Sequence, residues 1–422
     1  MNFFRRYKKV FLIIAFLLFS AFLAYLIWLP FLRVDEPELT DEEILELIGQ
    51  LPPEAGWREI EQIIDDPDRL EGIPGIDRII DPFRPDPSVR EETASPIAAG
   101  GLTQTERVVR APTINPIIDS QGNINYFDLS DNKFYRLDRD GNIIELSDRV
   151  FQNAIDITWS PDADKAIVKY FDGNKAIYNF ETDRQIVLPK HWDDFSFSTD
   201  GGQIAGKSIG NDPNNRWLIT FNDDGTSAKA IENIGRNADN VNVSWSPNQQ
   251  MIATWTRGLD FNRQELLFVG LHGENFKSTI VEGRGLQYIW SETGENLLYS
   301  AYSSANDMKP ILWIVDSTSD TMGQSRRSLG IETWAEKCTF VGTDDVYCAV
   351  PEYLPRGAGL VPEIANETPD NLYHINIKSG SKNMIAIPEN NVNISQIMVT
   401  NDQDVLYFSD NRTGQIYSVN LK

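Results

Sequence analysis

From about residue 105 onward, apolar and polar positions alternate with a period of two in short runs. Each run stops at a cluster of Gly, Pro, Asn, Asp or Ser. A period of two sends successive side chains to opposite faces, so these runs predict short half-buried strands separated by tight turns. One phrase recurs. Residues 157–170 read ITWSPDADKAIVKY and residues 243–255 read VSWSPNQQMIATW. Aligning the apolar residue just before each such turn gives Ile118, Trp159, Phe197, Trp245, Trp290, Phe340 and Val399. Successive positions differ by 41, 38, 48, 45, 50 and 59 residues. Seven units of this size each fit a four-stranded propeller blade. In the second unit AIDITW is strand a, KAIVKYF strand b, KAIYNFE strand c and RQIVLP strand d. In the fourth, NVNVSW, QMIATWT, QELLFVGL and FKSTIVE take those places. Pro161 and Pro247 preset a tight a–b turn. The aromatic before the turn shares a face with Ile157, Phe195, Val243 or Tyr288 two residues back. Trp159, Trp245 and Trp290 are therefore expected as wedges between blades rather than as a site.

The predicted fold class is all-β, a seven-bladed β-propeller, preceded by a transmembrane helix and short acidic helices. The last unit offers only ISQIMVT, DVLYFS and QIYSVNL before Lys422. The missing outer strand is expected from TERVVRAPT (105–113), lying beside 414–421 and leaving no sheet edge bare. The propeller thus covers 105–422. WSPDADKAIV, WSPNQQMIA and FSTDGGQIA resemble the WSPDG-type repeats of TolB-like propellers, which also occur in the propeller domains of prolyl-oligopeptidase-like enzymes. The resemblance covers about 105–422 and implies the fold. It carries over no functional residue, because the matching positions are structural. IIDSQGN, FVGTDDV and VTNDQDV in the first, sixth and seventh units depart from it.

Ahead of the repeats the pattern changes. Residues 10–32 carry no charge and span about 35 Å as a helix, enough to cross a bilayer. The basic tail 1–9 (Arg5, Arg6, Lys8, Lys9) precedes them, and Asp35, Glu36 and Glu38 follow. The positive-inside rule puts the N-terminus in the cytoplasm and the propeller outside the cytoplasmic membrane, in a periplasm or at the cell surface. The rival is a cleaved signal peptide, but the run is long and lacks a small-residue cleavage region. The segment therefore reads as a transmembrane signal anchor. No Cys follows it for lipid attachment. Residues 33–83 form an acidic helical stalk of three short amphipathic segments (39–50, 55–65, 74–83), the first opened by a capping box of Thr40 and Glu43. Helices this short need a surface to pack on, either their own propeller or a partner. Residues 84–104 read as a flexible linker.

A formal charge of −24 repels phosphate backbones and excludes nucleic acid as a partner. Cys338 and Cys348 flank FVGTDDVY, where a three-residue turn centred on Thr343 sets them opposite each other. Outside the cytoplasm they are expected to bond, the alternative being two buried thiols. No G-x-S-x-G elbow occurs, and residue 422 leaves no length for a hydrolase domain, so no enzyme and no cofactor is expected. His191, His272 and His374 fall on different blades and levels and predict no metal site. LDRDGNIIEL has Arg136 where a calcium loop needs its first acid, so it reads as a turn on Asp140–Gly141. The sequons at Asn242, Asn366, Asn393 and Asn411 are weak signals, and Asn242 is expected in a buried strand.

Loop length is more informative. Blades 4, 5 and 6 carry long b–c loops: RGLDFNR (257–263), SSANDMK (303–309) and PEYLPRGAGLVPEIANETPD (351–370). In a propeller these share one rim with the d–a connections. Long loops in a compact domain are commonly functional, and apolar residues with Arg suit a protein contact. Arg257, Phe261, Arg263, Tyr353, Leu354, Arg356, Leu360 and Val361 are the candidate partner-binding residues; the alternative is a loop folded over the channel mouth. Two functions follow. One is a non-catalytic, membrane-anchored protein-interaction scaffold in an envelope complex. The other is a glycan- or peptide-binding, or lytic, module using the channel. A channel ringed by aromatic and carboxylate side chains in a pocket would favour the second, a bland channel with an apolar rim the first.

Overall fold

The computed structural model describes residues 93–274 and 276–422. The anchor at 10–32, the stalk at 33–83 and the start of the linker lie outside the described residues. Among the described residues no helix is long and apolar enough to cross a membrane.

Seven sheets follow one another along the chain, at 113–145, 154–188, 192–233, 241–282, 284–328, 338–388 and 394–420, and within each, consecutive strands pair antiparallel. The core is distributed accordingly. Seven apolar clusters each join two neighbouring blades, because each sheet buries both faces against the next. The cluster of Val109, Ile124, Tyr126, Met398, Tyr407 and Ile416 joins the last blade to the first and closes the ring.

The repeated phrase explains its own geometry. Trp159 Nε1 donates to Asn115 O of blade 1 (2.8 Å), and Trp290 Nε1 donates to Ser244 Oγ of blade 4 (2.8 Å). Each indole is thus pinned across a blade interface. The Ser or Thr after the apolar residue that ends strand a is buried and clamps the a–b turn. Ser160, Ser198, Ser246 and Ser291 Oγ accept the N–H five residues on at 3.0, 2.9, 2.9 and 3.0 Å, and Thr400 does so at 3.2 Å. The hydroxyl meets a buried backbone donor that the turn would otherwise strand.

Closure uses Glu106–Val109, which runs antiparallel to Ile416–Asn420 with Glu106 opposite Ser418 and Val109 opposite Ile416. The linker reading needs correction at its end. Gly101–Thr103 is a fifth strand on blade 6, parallel to Lys382–Pro388, with Gly101 opposite Ala386. Ala98 N donates to Asn420 O and Gly100 N to Ile385 O, both at 2.8 Å. The small residues that look flexible in sequence let the chain approach two blades closely. Gly100 also takes a φ of 90°, open to glycine at little cost.

Cys338 and Cys348 face each other on strands a and b of blade 6 and are disulfide-bonded. Constraining a loop of this length in the unfolded chain is worth about 2–3 kcal/mol. The double variant Cys338→Ala/Cys348→Ala should lose that much in urea denaturation; an unchanged midpoint would show that the hairpin holds without the bond.

Candidate protein-interaction rim

Strand direction sets the rims. The ends of strands b and d and the starts of strands a and c meet on one side of the ring. In blade 4 the sequence expectation of a loop at 257–263 is corrected. Strand b runs Met251–Asp260 and strand c Arg263–Gly270, so only Phe261 and Asn262 turn. Gly258 and Asp260 look like turn formers, yet they pair with Gln264 and Arg263. The ladder persists because ion pairs brace it. Arg257 bonds Glu265, and Arg263 Nη2 lies 2.7 Å from Asp260 Oδ2. The Arg263 guanidinium holds the Asp260 carboxyl below its usual range. Arg284 Nη1 donates to Asp260 O (3.0 Å) and steadies the hairpin from blade 5. Phe261, at the tip, is 66% exposed.

The three loops are joined to one another. Asn262 Oδ1 accepts Ser304 N and Oγ, both at 2.9 Å, linking blades 4 and 5. Asp307 O accepts Gly357 N (2.8 Å) and Met308 O accepts Gly359 N (2.7 Å), linking blades 5 and 6. Gly359 is required there: a Cβ would stand 2.5 Å from Tyr302 Cβ. Arg356, largely exposed, lies 3.9 Å from Asp307.

The insertion 351–370 has a small core of its own. Leu354, expected as a contact residue, is 6% exposed and packs with Trp334, Ala358 and Ala365. A loop without a sheet must bury something to hold a shape, and Leu354 is what it buries. Tyr353 (62%), Leu360 and Val361 are exposed. Ile364 is exposed too and was not singled out from the sequence; the short 3-10 turn Pro362–Ala365 sends it outward and Ala365 inward. The same rim carries Leu129, Phe171 (82% exposed) and Trp217, at the b–c turns or strand-c starts of blades 1, 2 and 3. On the opposite rim the exposed large apolar side chains among the described residues are few, such as Ile143 and Ile144.

Beneath the insertion, where blades 5, 6 and 7 meet the channel mouth, lies a cavity of about 590 Å³. At its floor Lys337 Nζ donates to both oxygens of Asp370, at 3.1 and 2.9 Å, and sits 5.6 Å from the Trp334 ring centre. Asp370 is 1% exposed and also accepts Ile394 N (2.6 Å). Burial pushes its carboxyl above the usual range, against the pull of Lys337. Three of the sequon asparagines meet here. Buried Asn393 donates to Thr368 O (2.7 Å), and Asn411 Nδ2 donates to Asn393 Oδ1 (3.0 Å) and to Asn366 Oδ1 (3.4 Å). Asn242 is exposed on its strand rather than buried.

On the innermost strands the carboxylates are occupied. Lys169 Nζ lies 2.8 Å from Asp193, Lys207 Nζ 2.7 Å from Asp194, and Asn115 Nδ2 donates to Asp156 (2.7 Å). The histidines stay apart, and His374 Nε2 lies 2.8 Å from Asp345 Oδ1. Among the described residues no group of three or more His, Cys, Asp or Glu is placed to hold a metal ion. The turn at 138–142 is closed by Asp138 Oδ1, which accepts Asn142 N (2.7 Å) and Asp140 N (3.0 Å).

No family model and no curated protein matches this sequence. Among solved structures the chain is similar to an oligogalacturonate lyase in complex with manganese (12% identity, TM-score 0.47, 75% of this chain and 93% of that one). It is similar to an oligogalacturonate lyase from Vibrio parahaemolyticus (13%, 0.48, 75% and 93%). It is also similar to the β-propeller domain of Cps50 (Swd1) from Myceliophteria thermophila (10%, 0.47, 75% and 100%). These are likenesses of fold, and no residue role is carried over from them.

Proposed function

We propose that the protein is a non-catalytic interaction scaffold, anchored in the cytoplasmic membrane by residues 10–32, with its propeller displayed outside. The b–c rim is its docking face. One observation carries this reading: the exposed large apolar side chains gather on a single rim, whose protruding elements are already bonded to each other. Contiguous exposed apolar surface marks interaction sites. Loops fixed before binding lose little entropy on docking. The uncharged run at 10–32 supports the anchor and, with it, a place in the cell envelope. Arg356 and the apolar side chains of Phe261, Tyr353, Leu360, Val361 and Ile364 make the contact. Arg257 and Arg263 brace the hairpin that presents Phe261, and Leu354 holds the insertion in shape.

The test avoids Leu354. Phe261→Ser, Tyr353→Ser and Leu360→Ser, combined, should lower cross-linking to the partner in native membranes about tenfold or more, leaving the urea midpoint within about 0.5 kcal/mol of the parent. A cross-link pattern identical to the parent's would sink the rim. The alternative, a glycan- or peptide-binding module using the channel, is favoured by the cavity at the channel mouth, whose size suits a ligand site.

A further inference from the structure

We infer that the cavity under the insertion receives an arginine side chain of the partner that docks on the rim. This deepens the scaffold reading and rests on it. Position comes first. The cavity opens on the rim, and its roof is the Pro362–Ala365 turn, whose outward residue Ile364 belongs to the exposed apolar set. A volume of about 590 Å³ has room for an extended side chain and the backbone that carries it. A surface flanked by apolar residues with a deep pocket beside them is the arrangement in which one anchoring side chain dominates affinity.

Charge then selects the side chain. The ammonium of Lys337 is matched by the carboxylate of Asp370, so the floor is close to neutral. Glu336, on the wall, is exposed and has no hydrogen-bond or ion-pair partner among the described residues. The uncompensated charge of the cavity is therefore negative. Asn411 uses its amide N–H groups on Asn393 and Asn366, which leaves its carboxamide oxygen as an acceptor. A carboxylate and a carboxamide oxygen match the flat, five-donor fork of a guanidinium. Ile289, Ile397 and Pro362 supply apolar wall for the methylene stem. An acidic side chain would meet Glu336 with like charge and find the lysine already taken. The formal charge of −24 over the chain draws a basic partner from a distance as well.

The probe is a fluorescein-labelled Gly/Ser peptide with one central arginine, titrated into the full-length chain at low salt and followed by anisotropy. The control peptide carries citrulline, which keeps the shape and loses the charge. The arginine peptide should bind about tenfold tighter than the citrulline peptide. Glu336→Gln should bring that preference below about twofold. Ser395→Phe, which fills the cavity from the blade 7 wall, should abolish binding of both peptides, with its urea midpoint confirming the fold. The rim variants Phe261→Ser and Leu360→Ser should keep the arginine preference even where partner cross-linking is lost, which separates failure of the pocket from failure of the rim. Equal binding of the two peptides, a preference that survives Glu336→Gln, or no binding of the arginine peptide overturns the inference.

Discussion

Replacing Lys337 by methionine should lower the stability of the propeller by about 3–5 kcal/mol, the usual cost of stranding one member of a buried ion pair. Lys337 and Asp370 are both buried, and the carboxylate accepts three hydrogen bonds, two from the ammonium and one from Ile394 N. The three groups come from different places: the approach to blade 6, the end of its insertion and the start of blade 7. Their meeting fixes the root of the insertion, so its loss is felt at the rim. Burial already pushes the Asp370 carboxyl up in the parent. Without the ammonium only the Ile394 N–H bond opposes the push, and the folded variant retains a proton that the unfolded chain releases near pH 4. The sign follows from linkage. A carboxyl whose pKa is raised by folding contributes stability that is complete below about pH 4 and is lost as pH rises through the folded value. Lys337→Met should therefore show its deficit at pH 7.5 and recover much of it in acid. Lys337→Met/Asp370→Asn removes the charge and keeps an oxygen for Ile394 N, and should regain most of the loss at neutral pH. Urea denaturation at pH 4 and pH 7.5 measures all three proteins. A single variant as stable as the parent at pH 7.5, or a double variant no better than the single, would show that the pair carries no such weight.

Much of the fold is written in local chemistry, and that part is legible. An aromatic, a hydroxyl and a turn former in sequence specify a strand end, a buried clamp and a reversal, all within a few residues of one another. The closing strand is legible because a blade one strand short demands one. What escapes is whatever depends on which way a side chain of a loop turns. Leu354 and Leu360 are the same residue type six positions apart, and only the packing of Trp334 and Ala365 decides that the first is buried. Ile364 is passed over for the same reason. Gly258 and Asp260 promise a turn that two arginine–carboxylate pairs overrule. Gly100 and Gly101 suggest slack where close approach to blade 6 is the use made of them. Lys337 and Asp370 are separated by an entire hairpin and a 20-residue insertion, so no spacing announces the pair.

Removing the closing strand should be as damaging as any single change in the protein. In a chain trimmed to 110–422, the third strand of blade 7, Ile416–Asn420, would have no neighbour on its outer side. Val109, 2% exposed, would leave its place against Ile124, Tyr126 and Tyr407. Its burial is worth about 2–3 kcal/mol, and the lost ladder bonds about 1 kcal/mol each. The sum is about 5–8 kcal/mol relative to 105–422, comparable with the total stability of many domains. A ring also fails differently from an open sheet. Its last interface, between blades 7 and 1, is made by the same cluster that Val109 completes, so both neighbouring blades loosen together. The exposed strand then offers unpaired N–H and C=O groups to other molecules. Urea midpoints should fall only modestly from 93–422 to 105–422, a cut that removes Gly101–Thr103 and the Ala98 and Gly100 bonds beside it, and steeply from 105–422 to 110–422. Size-exclusion chromatography should show the shortest form associating. Equal midpoints for 105–422 and 110–422 would mean that the ring is held by the blade contacts themselves and that the terminal strand merely lies against it.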